Sequence, residues 1–259
     1  MMTWQNAFGA VVFLITAPLF ISPVVFAHDH TNLERGIPIE IEDAYPTAFE
    51  NREFQGILRT RRTEEKNYEY ELVPILEYGF IRNGELELAV PVRFLPGENN
   101  DSGNIELEAL YNFNFEGLLL PAFSLKAGIE IPTGMNATGW APAATLLVSK
   151  TLSRGSWFHA LHLNAAWLRN SDAGIDERLN RYRITLGYEL RLDPNNMVLM
   201  DLQREQQKER KNESNLFEIG LRHQWNPLTV LAIGTGVGFS DESPDFRATL
   251  GFQRSITIF

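Results

Sequence analysis

Hydrophobic and polar residues alternate with a period of two along most of the chain. Residues 85–94, for example, have leucine, valine or phenylalanine at every even position and mainly charged residues at the odd ones. Such alternation predicts a strand with one apolar and one polar face. The pattern recurs near 50–61, 68–79, 85–95, 104–115, 122–132, 142–152, 157–169, 180–192, 197–206, 215–225, 229–239 and 246–258. Most of these segments have about ten residues or more, which is typical of tilted membrane-crossing strands rather than of soluble sheets.

The predicted connections alternate between short and long. Short turns fall at 81–84, 117–119, 153–155, 193–196 and 226–228, and longer polar loops lie between them. This rhythm is typical of a barrel with short periplasmic turns and long outer loops. The sequence therefore predicts an all-β fold: a transmembrane up-and-down antiparallel β-barrel of about twelve strands over residues 50–259. A soluble sandwich or lipocalin-like barrel, with the apolar face as its core, is the alternative.

The N-terminal region differs from the rest. Residues 7–27 form one apolar run that ends in Val25-Phe26-Ala27, a small-x-small cleavage pattern. We expect residues 1–27 to be a cleaved signal peptide, with a transmembrane anchor as the alternative. Residues 28–49 are rich in acidic side chains. They are expected to form either a periplasmic N-terminal segment or a plug inside the barrel lumen.

Composition limits the possible functions. The 259 residues are 44% hydrophobic, carry a formal net charge of -10 and include no cysteine. This composition is too polar for a bundle of membrane helices and too apolar for a disordered chain. Disulfides and cysteine-ligated metals are excluded, and the acidic balance argues against a nucleic-acid partner. We expect no catalytic, cofactor-binding or metal-binding residue.

If the polar face points inward, its charged side chains line the lumen. The candidates are Glu69, Glu71, Glu85, Glu87, Arg93, Glu106, Glu108, Lys126, Glu130, His162, Arg181, Arg183, Glu189, Arg191, Asp201, Glu205, Glu218 and Arg222. Unpaired charges in a confined site have large desolvation costs. Either water fills the lumen and the charges set its selectivity, or the charges pair and close it. Twelve strands lie between the barrel sizes that are filled by side chains and those that hold a channel.

Aromatic residues cluster near the predicted strand ends, as in the girdles of membrane barrels. Those beside the short turns are Tyr78, Phe80, Phe113, Phe115, Trp157, Trp225 and Phe259, and those near the long loops include Trp167 and Phe239. We expect the outer surface to contact outer-membrane lipid and lipopolysaccharide. Phe259 is expected to serve as the contact for the barrel assembly machinery.

Three short motifs carry a resemblance to a known family. They are Ile41-Glu42-Asp43-Ala44-Tyr45-Pro46, Lys126-Ala127-Gly128-Ile129-Glu130-Ile131-Pro132-Thr133-Gly134 and His162-Leu163-Asn164. Together they resemble the outer-membrane family linked to the meta-cleavage pathway of phenol degradation, whose members are described as transporters. The resemblance implies an outer-membrane barrel that passes small molecules, aromatic ones among them. It assigns no catalytic or binding residue.

The sequence thus predicts a passive channel or uptake protein for small molecules, including aromatic or hydrophobic ones, in a bacterial outer membrane. A closed barrel with a structural or binding role in the envelope is an alternative. A barrel lipid hydrolase that uses His162 is a further alternative, although that chemistry needs a serine held by the histidine, and no His-x-Ser-Asn arrangement occurs.

Overall fold

The computed structural model describes residues 32–62, 67–94, 101–135, 137–154 and 157–256. The expected signal peptide and Phe259 lie outside these residues. The described strands are β1 (Arg52–Arg62), β2 (Tyr68–Ile81), β3 (Gly84–Ala89), β4 (Val92–Phe94), β5 (Asp101–Ser102), β6 (Ile105–Asn114), β7 (Ala122–Ile131), β8 (Ala141–Ser153), β9 (His159–Arg169), β10 (Asn180–Asp193), β11 (Asn196–Gln206), β12 (Glu213–Asn226), β13 (Thr229–Gly238) and β14 (Phe246–Ser255). No helix in the described part of the chain is long and apolar enough to cross a membrane.

The sheet closes on itself. Strand β1 pairs antiparallel with β2 on one side and with β14 on the other, and the remaining strands pair antiparallel in an up-and-down order. Strands β3 and β4 together form one stave of the barrel, and β5 and β6 form the next. The result is a closed antiparallel barrel of twelve staves, which confirms the predicted fold class.

One predicted strand is interrupted, and the next is preceded by a short strand in the region predicted as a loop. The stretch 85–95 divides into β3 and β4 at Val90 and Pro91, and the next stave divides into β5 and β6 at 103–104. Pro91 has no N–H to donate to the ladder. Gly103 lies against its ring, so that a Cβ built on Gly103 would come within 2.9 Å of the proline Cβ. The two breaks are therefore neighbours on the barrel wall.

The barrel exterior is apolar. Leucine, isoleucine, valine and phenylalanine side chains on the outward face are 40% exposed or more in nearly every stave, for example Leu76, Leu125, Leu186 and Ile233. An apolar face that points outward from a closed barrel is suited to lipid and not to water. The alternative of a soluble barrel with this face as its core does not fit the structure.

The two ends of the barrel differ in their connections. At one end, which we call the short-turn end, β2–β3, β10–β11 and β12–β13 are joined by two residues each. At the other, the long-loop end, β9–β10, β11–β12 and β13–β14 are joined by longer segments. Strand β1 starts at the short-turn end, so the residues before it enter the barrel from that side.

The turn between β6 and β7 is tied to its neighbours by one carboxylate. Glu116 accepts hydrogen bonds from Lys150 Nζ at 2.7 Å and from the Thr151 hydroxyl at 2.7 Å and amide at 3.0 Å. Burial alone would raise the pKa of Glu116, but these donors outweigh it and lower the pKa to about 2. Lys150 lies on the outward face, and this pairing near a strand end removes the cost of its charge there.

Candidate functional site

Residues 32–48, which we call the inner segment, lie inside the barrel. Their apolar side chains Leu33, Ile37, Ile39 and Ile41 are each 1% exposed. They pack against inward apolar residues of several staves: Ile57, Val73, Ile75, Ala89, Met197, Leu199 and Ala232. The sequence left a periplasmic tail and a lumen position open for residues 28–49, and the structure places the described part of that range in the lumen.

Polar side chains of the barrel wall hydrogen-bond the backbone of the inner segment. The amide of Ile41 donates to Asp201 Oδ2 at 2.9 Å, and the amide of Ala44 donates to Ser149 Oγ at 2.8 Å. The Asn164 side-chain amide pairs with both backbone groups of Glu42, at 3.0 and 2.8 Å. Because buried backbone groups need partners, these inward side chains determine the path of the segment.

Charged side chains of the segment pair with the wall as well. Arg35 lies 3.0 Å from Glu106 and 3.4 Å from Glu108, and Glu40 lies 3.0 Å from Arg59 and 3.1 Å from Arg247. These contacts join the inner segment to β1, β6 and β14 across the lumen.

The most buried of these contacts is centred on Lys126. Its Nζ lies 2.6 Å from Glu42 of the inner segment, 2.9 Å from Glu87 and 3.2 Å from Glu108. The lysine side chain is only 3% exposed. Lys126 thus compensates part of the negative charge of three carboxylates, of which one belongs to the inner segment and two belong to the barrel wall.

Inward glycines make room for the segment. A Cβ built on Gly187 would overlap Ile41, and one built on Gly220 or Gly234 would overlap Pro38. Gly234 alternates with the outward residues Ile233 and Thr235 of β13 and lies on the inward face. The structure shows that the backbone of the inner segment fills this space.

The segment is joined to β1 at the short-turn end. The amide of Glu50 donates to the Gly79 carbonyl at 2.7 Å, and the Gly79 amide donates to the Asn51 carbonyl at 3.1 Å. A side chain on Gly79 would overlap the Ala48 carbonyl. Residues 48–51 are therefore fastened to the end of β2 before β1 begins.

The inner segment separates two cavities. The vestibule, at the long-loop end, has a volume of about 360 Å³ and is lined by charged residues that include Arg59, Arg183, Glu106 and Glu130, with Arg35 from the segment. The lower cavity, at the short-turn end, also measures about 360 Å³ and is lined by residues that include Tyr45, His162 and Glu189.

Every candidate lumen residue from the sequence points into the barrel. Deep in the lumen and buried are Glu85, Glu87, Lys126, His162, Glu189, Asp201, Glu218 and Arg222. Nearer the ends and less buried are Glu69, Glu71, Arg93, Glu106, Glu130, Arg181, Arg183, Arg191 and Glu205, and Glu108 lies between the two groups. The described aromatic candidates Tyr78, Phe80, Phe113, Phe115, Trp157, Trp167, Trp225 and Phe239 all lie on the outer side.

Several arginines that line the vestibule were missed in the sequence. Arg59, Arg61 and Arg247 line the vestibule, and Arg59 and Arg247 hold Glu40. The signal was present, since Arg59 and Arg61 alternate with Leu58 and Thr60 in the first strand. That strand has a thin apolar face, which made its polar face hard to recognise.

A serine, a histidine and a glutamate lie in a row on β8, β9 and β10. Ser149 Oγ is 2.9 Å from His162 Nδ1, and His162 Nε2 is 3.8 Å from Glu189 Oε1. The serine oxygen also accepts the Ala44 amide and is buried against the inner segment. The row faces the lumen and not the lipid, so it holds the segment and gives no access to a lipid ester.

Three buried carboxylates meet at the boundary between segment and wall. Oxygen atoms of Glu34, Glu77 and Glu85 lie within 4.8 Å of one another. The Thr47 hydroxyl donates to Glu77 at 3.0 Å, and its amide donates to Glu85. Carboxylate oxygens are suitable ligands for a hard divalent cation, so these residues are the part of the described lumen that could hold one.

Comparisons with known proteins support the fold. No family model matches the sequence, and no curated protein matches it. Among solved structures, an outer membrane channel from Pseudomonas putida F1 has a TM-score of 0.63 at 15% identity, over 84% of this chain and 100% of the channel. The KdgM porin has a TM-score of 0.56 at 12% identity, over 79% and 99% of the two chains. The NanC porin has a TM-score of 0.55 at 11% identity, over 79% and 100%.

Proposed function

We propose that the protein is a passive channel for small molecules in a bacterial outer membrane, and that the inner segment closes it. The observation that carries this proposal is the division of a polar lumen into two cavities by a piece of chain that non-covalent contacts hold in place. A barrel sealed by its own wall would need no such segment.

The similar structures support the same proposal. One of the similar structures is an outer membrane channel and two are porins, and all three share the barrel fold. The apolar exterior and the outward aromatic residues fit that location. We extend the proposal to lipopolysaccharide as a neighbour at the long-loop end, and to recognition of Phe259 by the assembly machinery.

The lining of the vestibule favours polar or charged solutes over hydrophobic ones. Its described lining includes many arginine and glutamate side chains and no aromatic residue. The expected passage of aromatic solutes, and the link to phenol degradation, therefore rest on the sequence resemblance alone. An aromatic solute that also carries a charge would satisfy both lines of reasoning.

The proposal is tested by removing the segment. Purified full-length protein and a variant that lacks residues 28–47 are compared in planar bilayers, with heat-modifiable migration in gels as the check that both barrels fold. We expect larger and steadier conductance steps from the deletion variant. A folded deletion variant that stays silent across voltage and pH would overturn the channel.

A closed barrel with a structural or binding role is the second candidate. The tight fit of the inner segment, with its apolar side chains 1% exposed, favours it. The same bilayer experiment separates the two candidates, since a permanently closed barrel conducts only after the deletion. Replacement of His162 by alanine with no loss of any lipase activity would remove the hydrolase alternative.

A further inference from the structure

Two groups of charged side chains in the vestibule contain unequal numbers of acidic and basic members. In the first group, Arg181 and Arg183 of β10 share a single carboxylate, Glu205 of β11. Arg181 Nη1 lies 3.3 Å from one oxygen of Glu205, and Arg183 Nη1 lies 3.9 Å from the other. Among the described residues, Glu205 is the one carboxylate within 4 Å of these two guanidinium groups, so the two arginines outnumber the carboxylate that they contact.

The second group has the reverse balance. Glu87, Glu106, Glu108 and Glu130 line the cavity from β3, β6 and β7. In the described part of the chain, the cations within 4 Å of these carboxylates are Arg35, which lies near Glu106 and Glu108, and Lys126, which is shared with Glu42.

Glu130 is the least compensated of these carboxylates. Its hydrogen bond within the described residues comes from the neutral Asn104 side chain at 3.5 Å. The second group therefore keeps a negative charge close to open space.

A cavity in which arginines predominate in one group and carboxylates in the other favours a solute that carries both charges. A lone anion meets the repulsion of the carboxylates, and a lone cation meets that of the arginines. A zwitterion can satisfy both groups and gives each of them a partner, which reduces the cost of confining it. The cavity volume of about 360 Å³ is within the range of small-molecule sites.

We propose that the vestibule binds small zwitterionic solutes, with the solute carboxylate on Arg181 and Arg183 and its ammonium group on Glu130. Arginine suits the carboxylate because its planar guanidinium donates two parallel hydrogen bonds. The proposal rests on the channel function and deepens it by naming the solute class at its outer entrance.

The test measures binding and does not require conductance. Isothermal titration calorimetry on the full-length protein in detergent uses glycine, 4-aminobutyrate and 6-aminohexanoate as probes. Butyrate and butylammonium serve as the singly charged counterparts of 4-aminobutyrate. We expect at least one amino acid to bind about tenfold more tightly than both singly charged molecules, since it gains a charge-assisted hydrogen bond on each side.

Variants locate the site. Arg183→Gln is expected to weaken amino-acid binding about tenfold, and Glu130→Gln should weaken it while improving the binding of butyrate. Arg204→Gln makes the same charge change on the outer face, where Arg204 pairs with Glu213, and should have no effect. All three variants are checked for heat-modifiable migration before use.

Two results would overturn the proposal. One is an affinity for butyrate equal to that for the tightest-binding amino acid, which would indicate a simple anion site. The other is a folded Glu130→Gln variant with unchanged amino-acid binding. Amino-acid binding to the full-length protein, together with a deletion variant that is silent in bilayers, would contradict the channel and leave the binding site intact. Conductance without amino-acid binding would contradict the binding site and leave the channel intact.

Discussion

Removing the Lys126 charge should release the inner segment without unfolding the barrel. Lys126 is 3% exposed and lies 2.6 Å from Glu42, the member of its carboxylate group that belongs to the segment. In the Lys126→Met variant, Glu42 faces Glu87 and Glu108 with no cation between them. The backbone ladder of the barrel does not involve the lysine side chain, so the wall should persist.

The size of the effect follows from the burial of this contact. Removing one partner of a buried ion pair costs about 3–5 kcal/mol, because the remaining charge is left uncompensated. The carboxylates of Glu87 and Glu108 stay in place whether the segment is bound or released, so the penalty falls mainly on the state in which Glu42 sits beside them. An increment of about 3 kcal/mol shifts the balance between bound and released segment by about 100-fold.

The assay uses a thiol, because the chain contains no cysteine. Ala44 is fully buried in the lumen, and Ala44→Cys therefore reports release of the segment through its labelling rate by a water-soluble maleimide. We expect faster labelling and larger conductance steps when Lys126→Met is added. Lys150→Met is the matched control, since Lys150 also binds a carboxylate at 2.7 Å but at a turn outside the lumen.

A second substitution tests the electrostatic origin of the effect. Glu42→Gln added to Lys126→Met removes the unpaired charge from the segment and should restore part of the protection of the introduced thiol. If Lys126→Met leaves labelling and conductance at the values of the parent protein, the contact does not hold the segment and the reasoning is refuted.

Three further substitutions, the last with a control, test other parts of the structure. Gly187→Leu should displace the inner segment because its side chain would overlap Ile41, and unchanged bilayer conductance would contradict the close packing there. Glu116 has a lowered pKa, about 2, so its contribution to stability is complete above the ordinary value near 4.5 and is lost as the pH falls toward 2. Glu116→Gln should therefore lower the unfolding temperature at pH 6, as measured by heat-modifiable migration. At pH 2 to 3 the unfolding temperatures of the variant and the parent protein should lie closer together. Ile233→Lys on the outward face should lower the free energy of unfolding by about 2–4 kcal/mol if the exterior meets lipid. Ile175→Lys, in a loop where the side chain is 92% exposed, should leave this free energy unchanged. Denaturant titrations of vesicle-inserted protein measure both.

The barrel was predictable because its wall has two chemically different faces. A period of two marks each strand regardless of what the other strands do, so local alternation was enough to find twelve staves. The interruption at Pro91 was not recognised, although the missing N–H was visible in the sequence. The hydrogen-bond ladder is interrupted at Pro91, although the residues on either side keep the apolar and polar alternation. The pattern alone therefore does not reveal the break.

The position of the inner segment was not predictable from local pattern. Ile37, Ile39 and Ile41 alternate with other residues in a way that suits a strand, a tail or a buried segment. The groups that receive them, such as Gly187, Leu199 and Gly234, belong to different strands. They become neighbours only when the strand register and the closure of the barrel are known.

The fastening at residues 48–51 determines how the inner segment can move. These residues anchor the inner segment at the short-turn end. Three fully extended residues next to this anchor reach only about 10 Å from it. Because the anchor continues into β1 at that end, the part of a released segment nearest to β1 stays beside the short-turn opening of the barrel. A tethered group of this kind meets its binding surface at an effective concentration in the millimolar range. Opening would then consist of many short excursions, each ended by recapture, and the frequency of these excursions would set the mean permeability of the barrel.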